Sequence, residues 1–255
     1  MTKQEVMQII PQKEVIYLIF SKLTRSAYLE CNAETFEDEV FLFDTEEEAN
    51  AFVEEKEKNK IPVSAGRVTK SNVFRMFVDL YPIGVNIVNI FIGKECVRFP
   101  LDEIVKRPPD EEIDKSKIVE NQQLSMSMLY FLQEARKPEG ADQSKVLEME
   151  EELVANLYKA SYILPIKKEQ TEGKEVIRLM LIPMQNGSQM IPIFSDSLSF
   201  QNFVGEQTTE GLILKFDGLD KMELPKEAAG FVLNPAGPCL AMGKEYLKSI
   251  RETFE

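Results

Sequence analysis

The residues of this chain that could do chemistry are limited by the absence of histidine. None of the 255 residues is a histidine, so the chain lacks the usual general base, the usual activator of Ser and Cys nucleophiles and the commonest ligand of transition metals. Ser-His-Asp catalysis, Cys-His catalysis and histidine-ligated zinc are therefore excluded for this chain acting alone. The sequence also has no Walker loop, no G-x-G-x-x-G turn and no C-x-x-C pair, which are motifs of nucleotide and metal sites. We predict no catalytic residue, no cofactor, no metal and no enzyme activity.

Thiols and carboxylates are the reactive groups that remain. The three cysteines are Cys31, Cys96 and Cys239. A reactive thiol needs basic neighbours or a helix N-terminus to lower its pKa, and none of the three has a basic residue beside it in sequence. A sparse, odd set of cysteines is typical of reduced, structural thiols in a cytoplasmic protein. The carboxylates are so numerous that no pairing stands out, and a cluster for a hard cation such as Mg²⁺ stays open as an alternative.

The most site-like elements are polar residues at the ends of predicted strands. Asn234-Pro235 follows one such strand, and Ser195-Asp196 follows another. One interpretation of Asn234-Pro235 is a structural turn, because Asn tolerates unusual backbone angles and Pro fixes the next φ. The other is a loop that presents Asn234 to a ligand or partner. Ser195 and Asp196 are also predicted to cap the following helix. The candidate binding residues are therefore Asn234, Pro235, Ser195 and Asp196.

A pattern that occurs twice predicts how these residues are positioned. Val40–Thr45 leads into Glu46–Val53, and Ile191–Asp196 leads into Ser197–Val204. Each copy has a short apolar strand ending in Phe, a polar cap and a helix with a Phe-Val pair nine and ten residues after that Phe. Internal repeats of this kind indicate duplication of a structural unit. The sequence therefore predicts two tandem domains of similar topology.

The segments around each copy extend the match. In the first half, the apolar residues of Val15–Leu23 have helical spacing, and a strand is predicted next at Ser26–Cys31. The second half has the same order, with a predicted helix at Lys145–Lys159 and a predicted strand at Ala160–Pro165. A strand also follows each repeated helix, at Ile61–Arg67 in the first half, and strand-helix-strand order predicts a mainly parallel pair. In the second half, Asn186-Gly187 between apolar runs predicts a hairpin.

The fold class expected from this order is mixed α/β, with two small mixed sheets and flanking helices. The predicted division places a first domain at residues 1–107 and a linker at 108–123. The second domain is predicted at residues 124–255, with an additional N-terminal helix at Leu124–Arg136. The division rests on the polar, proline-broken run Arg107–Glu112.

The second half resembles the SseB family, which is named for an enhanced-serine-sensitivity phenotype in bacteria. The resemblance rests on Leu157–Pro165, Ile191–Asp196 and Gly230–Gly237. The first half looks like a diverged copy, which keeps Phe43-Asp44-Thr45 but has no Asn-Pro turn after its last strands. The family has no established catalytic residues, so the resemblance implies a mixed α/β fold and a non-enzymatic role in the cytosol.

The acidic composition and the lack of long apolar runs limit the kinds of partner that this chain is expected to bind. The net charge of −13, from 43 acidic and 30 basic residues, repels phosphate backbones, so nucleic-acid binding is not expected. No apolar run approaches the roughly 20 residues of a membrane span, and the N-terminus lacks the layout of a signal peptide.

The leading hypothesis is a cytoplasmic, non-enzymatic module that binds a protein partner. The alternatives are a small-molecule sensor and an enzyme subunit that uses carboxylates or a thiol. The oligomeric state is not predicted.

Overall fold

The computed structural model describes residues 1–106, 114, 118–171, 174–207 and 209–255. Contacts divide the chain into two compact units, Met1–Glu112 with Leu129–Met149 and Ile113–Met128 with Glu150–Glu255. Each unit is mixed α/β, which confirms the predicted fold class. The predicted division at 1–107, 108–123 and 124–255 differs from these contact groups, and much of its linker lies outside the described residues. Those boundaries stay a prediction.

The first unit is built on one sheet in which β3 is the middle strand. Its elements in chain order are α1 (Lys3–Ile9), β1 (Val15–Ser21), β2 (Glu30–Cys31), β3 (Asp38–Phe43), α2 (Glu46–Lys58), β4 (Val63–Thr69), α3 (Val73–Leu80), β5 (Ile87–Ile92), β6 (Glu95–Pro100) and α4 (Leu101–Ile104). The strand order is β4-β1-β3-β5-β6, with β2 paired to β3. The pair β3 and β5 is parallel, and the other pairs are antiparallel.

Both faces of this sheet are buried. Ile16 and Leu18 of β1 pack into a core with residues of α1 and α3. Tyr17 and Ile19, on the opposite face, pack into a second core with Ala49 of α2. A strand buried on both faces must be apolar at successive positions. This explains why the prediction of a helix at Val15–Leu23 is wrong, since an unbroken apolar run fits either structure by periodicity alone.

Two further predictions about the first unit are corrected by its pairing. The segment Ser26–Cys31 is not a full strand, because it has only an isolated bridge between Phe20 and Ala27 and then the two-residue β2. The strand after α2 does not form a parallel pair with β3. Instead β4 pairs antiparallel with β1, from Val15↔Thr69 to Ser21↔Val63.

Two helices come next, at positions that the apolar periodicity predicts. They are α5 (Gln122–Ala135) and α6 (Gln143–Lys159). In α6 the residues Leu153 and Leu157 are fully buried, as expected from the predicted apolar stripe.

The second unit contains the remaining elements. They are β7 (Ser161–Thr171), β8 (Lys174–Leu179), β9 (Ile182–Pro183), β10 (Gln189–Ile193), α7 (Ser197–Val204), β11 (Glu210–Lys215), α8 (Phe216–Asp220), β12 (Ala228–Leu233), β13 (Leu240–Gly243) and α9 (Lys244–Phe254). They form the ladders β13-β12-β10-β9 and β11-β7-β8. Two backbone hydrogen bonds of 2.9 Å between Ile163 and Phe194 connect β7 to the end of β10.

The pairing of the second unit follows the order found in the first. With the bridge included, its strands run β11-β7-β10-β12-β13, and only β10 with β12 is parallel. The predicted hairpin at Asn186-Gly187 is present, since the Met184 N–H donates to the Ser188 carbonyl at 2.8 Å and β9 pairs antiparallel with β10. As in the first unit, the strand after the repeated helix pairs antiparallel, here β11 with β7.

The repeated aromatic residues occupy matching places in the two units. The ring centroids of Phe43 and Phe52 lie 5.4 Å apart, and those of Phe194 and Phe203 lie 5.0 Å apart. Tyr28 and Tyr162 do not match, because Tyr162 lies in β7 whereas Tyr28 lies after β1. Among the described residues, no helix has both the length and the apolar character needed to cross a membrane.

Candidate functional site

The polar residues at the ends of β10 and β12 form one hydrogen-bond network. Because these strands are parallel neighbours, their carboxyl ends lie side by side. Asn234 Oδ1 accepts a bond from the Ser195 backbone N–H at 3.1 Å, and Asn234 Nδ2 donates to Ser195 Oγ at 2.8 Å. Ser195 Oγ in turn donates to Asp196 Oδ2 at 3.0 Å. The fold therefore brings together three of the four predicted site residues.

Asp196 links this network to the start of α7. It is the N-cap residue, and its Oδ1 accepts a bond from the Ser199 backbone N–H at 2.7 Å. Its Oδ2 accepts a second bond from Ser199 Oγ at 2.8 Å. A capping carboxylate satisfies a helix N–H that has no partner within the helix. The predicted capping role of Asp196 is confirmed.

The network is buried, which favours the structural-turn interpretation of Asn234 over that of an exposed loop. The exposed fractions are 7% for Asn234, 0% for Ser195 and 3% for Asp196. Asn234 has φ of 47°, and its carbonyl accepts bonds from the N–H groups of Gly237 and Cys239. Asn is one of the few residues that tolerate this left-handed conformation. These contacts give Asn234 a structural role, and its binding role stays a prediction.

Pro235 takes no part in the network through a side-chain hydrogen bond, because it has no polar side-chain atom. It is half-buried and follows Asn234 in the turn between β12 and β13. The structure therefore places Pro235 in the turn that the sequence predicts, and its binding role also stays a prediction.

In the first unit a different residue makes the side-chain hydrogen bond between the ends of the two parallel strands. Asp44 follows β3, and its Oδ1 accepts a bond from the Gly93 N–H at 3.1 Å in the turn between β5 and β6. Its Oδ2 accepts a bond from Lys13 Nζ at 2.7 Å. In the first unit Asp44, at the end of β3, bonds through its side chain to the turn after β5. In the second unit Asn234, in the turn after β12, bonds through its side chain to Ser195 at the end of β10. The missing Asn-Pro turn is thereby replaced.

A polar cavity of about 420 Å³ lies in the second unit beside this network. Asn121 connects the two, because its Nδ2 donates to the carbonyls of Ser195 and Ser161 at 2.6 and 2.7 Å. The cavity is lined by Glu120, Asn121, Gln122, Gln123, Leu124, Asn156, Lys159 and Ala160. Its size falls in the range of small-molecule sites. Sequence reasoning missed it, although three successive amide residues at the start of a helix are a signal that could have indicated it.

Two of the three thiols, those of Cys31 and Cys96, have environments that disfavour the thiolate. Partial burial and the carboxylates of Asp38 and Glu39 raise the pKa of Cys31. Burial and Glu39 also raise the pKa of Cys96, against an opposing effect of Arg98. A raised pKa leaves less thiolate at neutral pH, and the thiolate is the reactive form.

The most buried carboxylate of the sheet in the first unit is held by neutral and basic partners. Glu39 Oε2 accepts a bond from Asn89 Nδ2 at 2.8 Å, and Glu39 Oε1 accepts one from Asn32 Nδ2 at 3.0 Å. Arg98 forms an ion pair with the same side chain. Within the described ranges, no group of three or more Cys, Asp or Glu residues is arranged to hold a metal ion. The contacts of Glu39 are those of a structural carboxylate.

An apolar groove of about 340 Å³ lies in the first unit, between β1, β4 and α3. It is lined by Leu18, Phe20, Ser26, Ala27, Arg67, Val68, Asn72, Arg75, Met76, Asp79, Leu80 and Ile83. Arg75 forms an ion pair with Asp79 at the rim. Arg67 is exposed, and its guanidinium has no partner among the described residues. We refer to this feature as the β1–α3 groove.

These features define a class of protein before any comparison: a two-unit, mixed α/β protein whose polar strand ends are closed by internal hydrogen bonds. Residues 139–247 match the family described as "SseB protein N-terminal domain". This match confirms that the second half resembles the SseB family. A search of curated proteins found no significant match.

Two solved structures are similar at low sequence identity. "Tic22 from Plasmodium falciparum" is 15% identical over 96% of this chain and 99% of that chain, with a TM-score of 0.25. "Anabaena Tic22 (protein transport)" is 12% identical over 83% of each chain, with a TM-score of 0.23. Scores this low give no basis for transferring the role of either protein to this chain.

Proposed function

We propose that the chain is a cytoplasmic, non-enzymatic protein-interaction module and that its docking site is the β1–α3 groove. The groove itself is the observation that carries the proposal, since it is open, mainly apolar and sized for one or two partner side chains. Recognition surfaces commonly combine an apolar centre with a polar rim. The exposed Arg67 at this rim favours a partner segment with an acidic residue beside its apolar anchor.

The burial and hydrogen bonding of the polar side chains, and the raised pKa values of two thiols, support an interaction function over catalysis. Asn234, Ser195 and Asp196 are buried and use their side chains on one another. The pKa values of Cys31 and Cys96 are raised, which disfavours a thiolate nucleophile. An active site instead requires ionisable groups that converge on open space.

A charge reversal at the groove rim tests the proposal. Short peptides selected from a displayed library on the full chain should carry an apolar residue next to Asp or Glu. Arg67→Glu should weaken their binding by at least about tenfold, because it opposes the acidic residue. The matched control is Lys94→Glu, the same change at an exposed residue of the turn between β5 and β6. Failure to select any peptide, or equal binding by Arg67→Glu and the wild type, would contradict a docking groove.

A second candidate function is favoured by the cavity beside Asn121. Its amide side chains can donate and accept hydrogen bonds, and Lys159 supplies one cation, which suits a small polar ligand with negative charge. A thermal-shift screen with organic acids, amino acids and sugar phosphates tests this function. Stabilisation by a ligand should be lost in Lys159→Met and retained in Lys94→Met. If no ligand class raises the melting temperature, the sensor function is rejected.

We also propose that the two units are tandem SseB-like copies, the first being diverged. The support is the shared strand order and the matching Phe43–Phe52 and Phe194–Phe203 contacts. An experimental structure in which β1 and β3 superpose on β7 and β10 with these Phe residues aligned would support the proposal. Non-equivalent positions for the two Phe pairs would reject it.

A further inference from the structure

The edge strand β11 of the second unit differs from an ordinary edge. Within the described residues β11 pairs only with β7, from Glu210↔Ile166 to Lys215↔Ser161. Its other side therefore faces no described strand. An edge strand offers a row of backbone N–H and C=O groups that another strand can pair with.

The apolar residues of β11 are exposed on both faces of the strand. Leu212 and Ile213 are 37% and 38% exposed, and successive residues of a strand point to opposite faces. The corresponding edge strand of the first unit, β4, has the charged Arg67 within the strand and small residues at Ser64 and Ala65. A charge within an edge strand discourages pairing with another chain, and β11 has no charge between its two ends.

The charges at the two ends of β11 are complementary to those of a second β11 strand that runs antiparallel to it. The strand begins with Glu210 and ends with Lys215. If two copies pair antiparallel about a centre between Leu212 and Ile213, Glu210 of one copy lies opposite Lys215 of the other, and Leu212 lies opposite Ile213. Opposite charges and apolar residues in directly opposed positions stabilise a strand pair. Parallel pairing in register would instead place like charges together.

From the exposed, self-complementary edge we infer that two copies of this chain form a two-fold dimer by antiparallel pairing of β11. The interface is isologous, so each cross-strand contact occurs twice. Glu210 already contacts Lys168 at 2.8 Å, but both side chains are exposed, so this pair leaves Glu210 accessible to the second copy. A strand of this length makes a small interface, which is typical of a weak, concentration-dependent association.

Sedimentation velocity of the full chain tests the dimer over about a hundredfold range of concentration. The wild type should pass from monomer to dimer. Ile213→Glu should weaken association by at least about tenfold, because it puts a charge opposite Leu212 and removes both apolar contacts at the centre of the pair. The matched control is Ile177→Glu on β8, an isoleucine that is 52% exposed on the same ladder. This control should associate like the wild type, and circular dichroism should show both variants folded.

A charge exchange keeps the test decisive if Ile213→Glu does not fold. Glu210→Lys alone and Lys215→Glu alone should each weaken the dimer, and the double variant should restore it. A wild type that stays monomeric throughout would overturn the inference, as would a dimer that Ile213→Glu and Ile177→Glu weaken equally. Binding of a foreign peptide at β11 by a monomeric chain would also overturn it. Arg67→Glu should leave the dimer unchanged, which separates this outcome from that of the groove.

Discussion

At the scale of single residues, Asn234 shows how a site-like motif can serve the fold. Its amide satisfies both the backbone N–H and the hydroxyl of Ser195, and its backbone occupies the left-handed region. Aspartate would keep one acceptor but place a second carboxylate near Asp196. Alanine would satisfy neither group and would also disfavour the φ of 47°.

We predict that Asn234→Ala lowers the free energy of unfolding by about 2–4 kcal/mol. The reason is that the buried Ser195 N–H loses its acceptor, the Ser195 hydroxyl loses one of its two hydrogen bonds, and the left-handed backbone carries a Cβ penalty. Asn234→Gly loses the same hydrogen bonds without that penalty, so it should be less destabilising than Ala by about 1 kcal/mol. Urea unfolding followed by circular dichroism measures both. An unchanged midpoint for Asn234→Ala would show that the network contributes nothing to stability.

At the scale of elements, the N-cap residues of the two repeated helices differ in burial. Thr45 caps α2, where its hydroxyl oxygen accepts a bond from the Glu48 N–H at 3.4 Å and the residue is exposed. Thr45 and Glu48 have the spacing of a capping box, in which Glu48 would accept a bond from the Thr45 backbone N–H. Here the Glu48 carboxylate instead accepts a bond from the Thr45 hydroxyl. Asp196 caps α7 from a buried position and also contacts Ser195.

This difference predicts unequal costs for removing the caps. Thr45→Ala should destabilise the protein by about 1 kcal/mol, a typical cap value. Asp196→Ala should cost about 2–3 kcal/mol, because it also leaves the hydroxyl of Ser195 buried without an acceptor. Chemical unfolding of the two variants gives the comparison, with Thr45→Ser and Asp196→Asn as controls that keep a capping oxygen. Equal losses for the two Ala variants would mean that burial of the cap is irrelevant.

At the scale of the whole molecule, the charge decides which partners can approach. The net charge of −13 at pH 7 comes from the entire sequence, and it opposes association with any polyanion. The exposed Arg67 at the rim of the β1–α3 groove is a local exception to this acidic background. The proposed partner is therefore a protein segment with one or two acidic residues, whose few charges Arg67 can meet.

We predict that the protein does not bind nucleic acid without sequence preference. Fluorescence anisotropy with a labelled DNA duplex and a labelled RNA single strand should show no binding below about 100 μM protein at low salt, where such binding is strongest. A basic protein of similar size serves as the positive control. Binding in the micromolar range that weakens with salt would contradict the charge argument.

The sequence by itself determined the features that depend on local chemistry. The polar cap two residues after each strand's Phe and the second Phe nine residues after it follow from helix capping and helix period, and the structure has both. The Asn186-Gly187 hairpin depends only on the backbone freedom of its turn residues. The match of the second half to the SseB family model could likewise be anticipated from its short motifs.

Only the tertiary structure decided which segments pair and which side chains lose water. Val15–Ser21 is a strand because β4 and β3 flank it and helices cover both faces, which periodicity within the segment cannot express. The same non-local pairing places β4 against β1 rather than β3. Burial of Asn234 and exposure of Ile213 depend on what packs above each strand. Pairing and burial are set by residues distant in sequence, so the candidate site could be named from the sequence but its structural role could not.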